Sequence, residues 1–142
     1  MARISQVAIT GTSPAAASTV AGATQIGLGE ARYLTIVATL VGATGGTLDV
    51  YLQTSFDGGT TWYDFAHFPQ LAAGAASSVR VWHLSREQVQ STLTTIGSGT
   101  SPALAANTVV NYWGDQVRAL YVAGASTSAG AAVNIKLAAF YA

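Results

Sequence analysis

Residues 55 to 62 read Ser-Phe-Asp-Gly-Gly-Thr-Thr-Trp, and no other stretch constrains the fold of this chain as tightly. Strand-like runs flank it, Thr47–Thr54 before and Trp62–Phe68 after. The segment between them must therefore reverse the chain within a few residues. Asp57 can accept hydrogen bonds from the backbone N–H groups of such a turn. Gly58 and Gly59 can adopt the positive φ that tight hairpin turns often need. Trp62 can fold back and seal the reversal. Ser55, Asp57, Gly59, Thr61 and Trp62 are thus expected to form a structural turn between two antiparallel strands.

The pattern Ser-x-Asp-x-Gly-x-Thr-Trp is similar to the Asp-box, a β-hairpin motif known from sialidases and many other β proteins. The resemblance implies a structural turn lying away from any catalytic centre. One such box in a chain of 142 residues is far short of a sialidase propeller.

The length suits one domain with a sizeable core. With no cysteine, disulfides and thiolate metal sites are excluded. Six basic and six acidic residues give a net charge of zero, so no basic stripe exists to neutralise phosphates, and direct nucleic-acid binding is not expected. Charged residues make up only 8% of the chain, against about 25% in an ordinary soluble domain. Ala, Gly, Ser and Thr supply 71 of the 142 residues. A surface so poor in charge is weakly protected against association and suits close packing on another protein. Apolar runs such as Leu34–Val41 are short and interrupted by Thr. They fall well below the ~20 residues of a spanning helix, and no membrane partner is expected. The first ten residues, interrupted by Ser5, Gln6 and Thr10, do not read as a signal peptide.

Period-two alternation recurs along the chain. Arg3–Thr10 reads as a first strand or an arm. Gly11 to Gly29 reads as a loop, a weak edge strand or an extended arm, so the chain divides into an N-terminal segment, 1–29, and a single β domain, 30–142. Strands are expected at Arg32–Val41, Thr47–Phe56, Thr61–Phe68, Ser78–Leu84, Val109–Trp113, Val117–Val122 and Ala132–Tyr141. Pro69 should end the third of these segments, Thr61–Phe68. Leu71–Ser77 and Thr94–Asn107 read as loops. One short helix is expected at about Arg86 to Leu93, with Ser85 as N-cap, Gln88 at the capping-box position, and Leu84 and Val89 as a staple. Seven to eight short strands with one short helix imply an all-β domain, a β-sandwich or jelly roll, with a closed barrel as the alternative.

No constellation of catalytic residues stands out. His67 and His83 are the only histidines. Asp64 and His67, three residues apart, should point to opposite faces of a regular strand, and both histidines should lie partly exposed near strand ends. Asp49 and Asp64 fall on partner strands and could be cross-strand neighbours, yet nothing around them argues for acid–base work. Glu30, Glu87 and Asp115 complete the six carboxylates, and Asp57 belongs to the turn. No Gly-rich phosphate loop, nucleophile elbow or calcium loop occurs. The expectation is no enzyme activity, no catalytic residue, no cofactor and no metal site. Tyr51, Trp62, Tyr63, Trp82, Tyr112 and Trp113 could form a stacking platform, but large aromatics usually fill small β cores, and Trp62 and Trp82 are expected there.

The Ala/Gly/Ser/Thr-rich, cysteine-free chain, with its hairpin Thr47-Leu-Asp-Val-Tyr-Leu-Gln-Thr-Ser-Phe-Asp-Gly-Gly-Thr-Thr-Trp-Tyr-Asp, resembles small virion proteins of tailed bacteriophages. The nearest type is the jelly-roll cement, or decoration, protein on the outside of capsids. That resemblance implies binding to the major capsid protein, location on the virion exterior after assembly in the host cytoplasm, stabilisation of the shell, and a homo-oligomer on a symmetric lattice. The alternative is a carbohydrate-binding β-sandwich, possibly associated with a tail, whose partner would be a glycan.

Overall fold

A computed structural model describes residues 3–12, 19–41, 46–72, 76–88, 93–124 and 132–141. Ten strands appear among them: β1 Arg3–Thr12, β2 Thr19–Gln25, β3 Ala31–Val41, β4 Thr47–Ser55, β5 Tyr63–His67, β6 Leu71–Ala72, β7 Ser78–Ser85, β8 Thr108–Val109, β9 Gln116–Ala123 and β10 Ala132–Tyr141. They form two antiparallel sheets. Sheet A has the order β1-β10-β3-β7, and sheet B has the order β2-β9-β4-β5-β8, with β6 also on β4. The pairing is nested: β1 with β10, β2 with β9, β3 with β7 and β4 with β5, alternating between the sheets. Within the segment 1–29, β1 and β2 are hydrogen-bonded edge strands, one in each sheet.

The core lies between the sheets and follows the alternation of the strands. Leu34, Ile36, Ala38 and Leu40 of β3 are buried with Ile135, Leu137 and Ala139 of β10. Across from them lie Leu48, Val50 and Leu52 of β4 and Val117, Ala119 and Tyr121 of β9. Leu28 and Trp113 close one end, where the indole Nε1 donates to the Leu28 carbonyl at 3.2 Å. Trp62 is buried, whereas Trp82 is only partly so and packs its edge on Phe68.

Three expectations need correction. No helix occurs among the described residues. Arg86–Gln88 is a turn, because the backbone there is claimed from outside. The Arg86 N–H donates to the Arg32 carbonyl, continuing the β3–β7 ladder, and Asn111 Nδ2 donates to the carbonyls of Ser85 and Gln88. Ser85 Oγ does accept an N–H, from Glu87; residues 89–92, with the staple residue Val89, lie outside the described residues. The expected strand Val109–Trp113 shrinks to the two residues of β8: the Val110 N–H makes one more bond in register, to the Phe65 carbonyl of β5, and the Tyr112 N–H then turns back to Val110. The loop at Leu71 contributes the short strand β6, which pairs with β4 on the side β5 occupies; Pro69 separates the two.

Candidate functional site

The turn after β4 is built from side chains of its own sequence. Ser55 Oγ donates to Asp57 Oδ1 at 2.8 Å and accepts the Gly59 N–H at 2.9 Å. Asp57 Oδ1 also accepts the N–H groups of Thr60 at 3.1 Å and Thr61 at 2.8 Å. These donors favour the charged carboxylate, led by the Thr61 backbone N–H, and hold its pKa down at about 2. Gly58 and Gly59 have φ of 70° and 91°, values that side chains other than glycine rarely adopt. Trp62 folds back so that Nε1 donates to the Gly59 carbonyl at 2.9 Å. Every polar group named here is spent on closing the turn.

The outer face of sheet B carries the largest polar cluster, and a bulge creates it. The register between β4 and β5 shifts between Leu52, opposite Ala66, and Gln53, opposite Asp64, leaving Phe65 as the extra residue. Phe65 and Ala66 both enter the core. Asp64 and His67 consequently lie on the same outer face, against the expectation that a three-residue spacing would separate them. Asp64 is fully buried. Its Oδ1 accepts Gln53 Nε2 at 2.9 Å, and its Oδ2 accepts the N–H groups of Gly97 at 3.0 Å, Ala103 at 2.9 Å and Leu104 at 3.3 Å. Gln53 spans the network: its Nε2 also donates to the Gly99 carbonyl, and its Oε1 accepts Nε and NH2 of Arg118 at 3.0 and 2.9 Å. The Arg118 guanidinium lies 4.4 Å over the Trp62 ring, linking this network to the turn.

The segment 94–107, expected as a surface loop, therefore belongs to a cover, 93–112, pinned on sheet B. Leu104 and Val110 are buried with Tyr51 and Leu120 in a second apolar cluster, with Ile96 and Tyr112 packed against it. Tyr112 donates its hydroxyl to the Asp64 carbonyl at 2.5 Å. The cover makes β4 buried on both faces along most of its length.

His67 is buried under this cover, not partly exposed as expected. Its ring stacks on Tyr51 with centroids 3.8 Å apart. Nδ1 lies 2.7 Å from the Leu104 carbonyl, and Nε2 lies 3.2 Å from Asp49 Oδ1. A carbonyl only accepts, so Nδ1 carries the proton in that contact. Both ring nitrogens are thus engaged by groups of the fold, beneath the cover. Asp49 accepts from His67 and, at 2.8 Å, from Gln70 Nε2; these bonds, the one to His67 foremost, hold its carboxyl below the usual range. Asp49 and Asp64 are not neighbours: Gln53, the partner of Asp64, is four residues or ~13 Å along β4 from Asp49.

The other candidates are scattered. Glu87 pairs with Arg32 and accepts the Tyr33 hydroxyl at 3.3 Å, Asp115 accepts the Gly29 N–H, and Glu30 is exposed. His83 lies exposed on sheet A, its Nδ1 3.0 Å from Thr35 Oγ1. Among the described residues, no three His, Asp or Glu side chains converge as metal ligands. Among the described residues, no segment covers the outer face of sheet A as 93–112 covers that of sheet B. Tyr33, Val79 and Val81 are exposed on the face of sheet A, and a groove of about 670 Å³ runs along Tyr33, Thr35, His83 and Phe140. A smaller groove of about 300 Å³ lies beside Phe56 and Tyr112, whose rings are parallel to within 10°.

The sequence reading missed Gln53, Arg118 and the covering role of Leu104. Uncharged Gln53 on a strand gives no signal, and the bulge at Phe65 has no glycine to mark it. Comparisons of the chain with protein-family models, with curated proteins and with solved structures find no match.

Proposed function

We propose that this chain is a structural protein of a tailed-bacteriophage virion, a cement or decoration protein that binds the major capsid protein from outside and stiffens the shell. The observation that carries this reading is how the polar groups are distributed. Asp57, Asp64, His67 and Asp49, the groups best suited to chemistry, are all engaged in bonds that hold the fold. The outer face of sheet A instead offers Tyr33, Val79 and Val81 in a chain with only 8% charged residues. Such a face binds by contact. The nested strand order supports the finer assignment of a jelly roll, an architecture common in viral capsid proteins and in lectins. Many copies on a symmetric shell would convert weak individual contacts into stable attachment.

The test is to purify virus particles on a density gradient and quantify this chain by mass spectrometry. We expect it in high, fixed copy number on intact particles, and its addition to stripped particles should raise their resistance to heat. Its absence from particles would remove the reading.

The second reading, a carbohydrate-binding module, is favoured by one observation. Phe56 is exposed and lies parallel to Tyr112 beside the smaller groove, an apolar surface of the kind that stacks on sugar rings. Binding to a glycan array that Phe56→Ala abolishes would select it over the capsid reading.

A further inference from the structure

We infer that β7 is a docking edge at which a second copy of this chain adds antiparallel, centred on Val81, to join two A sheets into one of eight strands. This deepens the proposed function by naming the self-contact of the lattice, and it stands on the geometry of one strand. Among the described residues, β7 is a terminal strand of sheet A, paired on one side only. Its register with β3 is unbroken from Ser78 to Ser85, with no bulge and no proline. The edges of sheet B are blunted by comparison: β2 carries a register shift between Ala21 and Thr24, and β8 is two residues long. An edge that is long, regular and apolar is a template for another strand.

The direction of the free backbone groups follows from the hydrogen bonds at the end of the strand. Arg86 N–H bonds the Arg32 carbonyl of β3, so even-numbered residues of β7 face β3. Ser85 turns its N–H and carbonyl the other way, where the Asn111 side chain takes both. Val79, Val81 and His83 share that parity, and their N–H and C=O groups point out of the sheet. Asn111 stands in for a partner strand at Ser85 and ends the free edge there. Val79 and Val81 are 61% and 54% exposed.

The occupant follows from complementarity. A twofold axis at Val81 pairs Val81 with its own copy and Val79 with His83, which matches outward-facing groups to outward-facing groups. Arg80 then lies across from Trp82 of the second copy, in the non-hydrogen-bonded pairing where side chains approach most closely. An axis at Arg80 would set two guanidiniums against each other. An axis at Trp82 would press the Asn111 cap of one copy onto Val79 of the other. The chain's net charge is zero, so two copies meet without long-range repulsion. The register centred on Val81 thus satisfies the edge, avoids the cap and sets a cation on an aromatic ring. A closed isologous pair of this kind also suits a symmetric shell.

The experiment is sedimentation of the full chain over a concentration series, beside Val81→Lys, Val81→Cys and Thr39→Cys. We expect a dimer that dissociates on dilution. Val81→Lys should raise its dissociation constant by on the order of tenfold or more, with an unchanged melting temperature. The chain has no cysteine, so each Cys variant carries a single thiol. Oxidised Val81→Cys should run as a covalent dimer, whereas Thr39→Cys, exposed on interior strand β3, should not. A chain that is monomeric throughout, or a dimer that Val81→Lys leaves equally tight, overturns the proposal. Should Val81→Lys fail to fold, the absence of a Val81→Cys cross-link overturns it instead. Loss of the dimer in Val81→Lys without that cross-link overturns the register. A monomer that still coats particles sinks this interface and leaves the capsid reading intact; a dimer absent from particles does the reverse.

Discussion

Gln53 and Asp64 face each other across β4 and β5, joined by a 2.9 Å hydrogen bond between two fully buried side chains. Through this pair the outer face of sheet B holds its cover. Asp64 Oδ2 gathers three backbone N–H groups of the segment 97–104, and Gln53 takes the Gly99 carbonyl on one side and Arg118 on the other. A buried carboxylate costs a great deal of desolvation, and here four donors offset it.

Asp64→Ala should therefore destabilise the fold by about 3–5 kcal/mol, because three buried N–H groups and Gln53 lose their acceptor together. Asp64→Asn should cost less. Its oxygen can keep the three amides, but its NH2 then meets the Gln53 amide donor. Urea unfolding of the three proteins measures the order, and equal stability of Asp64→Ala and the parent chain would contradict the clamp.

Gly97 presses on the same site. A Cβ there would lie 2.3 Å from the Ala103 nitrogen and 2.4 Å from the Ser101 carbonyl oxygen, both backbone atoms that cannot rotate away. Gly97→Ala should cost about 3 kcal/mol or more by overpacking. Hydrogen exchange should quicken first at Ala103 and Leu104, before the strands of sheet A respond.

Most of the β framework was legible in the sequence, and the site was not. Alternating residues such as Leu34, Ile36 and Leu40 mark a strand because one face meets a core, and β3, β4, β9 and β10 lie within one or two residues of their expected limits. Pattern fails where long-range contacts decide. The capping signal at Ser85–Gln88 is real in local terms, yet Asn111, more than twenty residues on, claims the same backbone groups. Leu104 sits in a run of Ala, Ser and Thr that resembles any surface loop, and it becomes a core residue through distant partners: Asp64 and His67, about forty residues earlier, take its backbone, and Tyr51 and Leu120 its side chain. The same-face placement of Asp64 and His67 depends on one bulged residue, Phe65, which local propensity does not reveal.

The turn predicts an acid signature. The Asp57 carboxyl, held at about 2 by the Thr61, Ser55 and Thr60 groups, has an ordinary value of 3.8. A depressed value means that the contribution is complete above the unfolded-state value and is lost as pH falls through the folded one. The window is therefore pH 3.8 down to about 2. Melting temperatures of the parent chain and Asp57→Ala should differ at pH 5 and converge across that window. A constant difference down to pH 2 would assign the effect to something other than the charged carboxylate.

Tyr121 offers a test of opposite sign. Its hydroxyl is buried with no hydrogen-bond partner among the described residues, and burial pushes its pKa up. Tyr121→Phe should leave stability unchanged or raise it by up to ~1 kcal/mol. A clear loss in thermal unfolding would reveal a partner for that hydroxyl.

The N-terminal segment makes the last prediction. A flexible arm could be removed with the β domain left standing, but the pairing of β1 and β2 predicts otherwise. Without residues 1–29, β10 loses its partner from Arg3 to Thr12 and becomes an edge, and β9 loses β2 in the other sheet. The deletion also takes away Leu28, which is 2% exposed and packed in the main core. Trp113 Nε1 then lacks its carbonyl acceptor, and Arg86 NH2 loses the Gly29 carbonyl. Removing a buried leucine alone costs about 2–5 kcal/mol, a large share of the 5–15 kcal/mol that holds a typical domain together. Two new regular edges add a tendency to aggregate. The chain 30–142 should therefore be insoluble or lack a cooperative melt, while the single substitution Leu28→Ala should stay folded with a lowered melting temperature. A soluble chain 30–142 that melts cooperatively near the parent temperature would mean that β1 and β2 add little, and that the segment behaves as an arm.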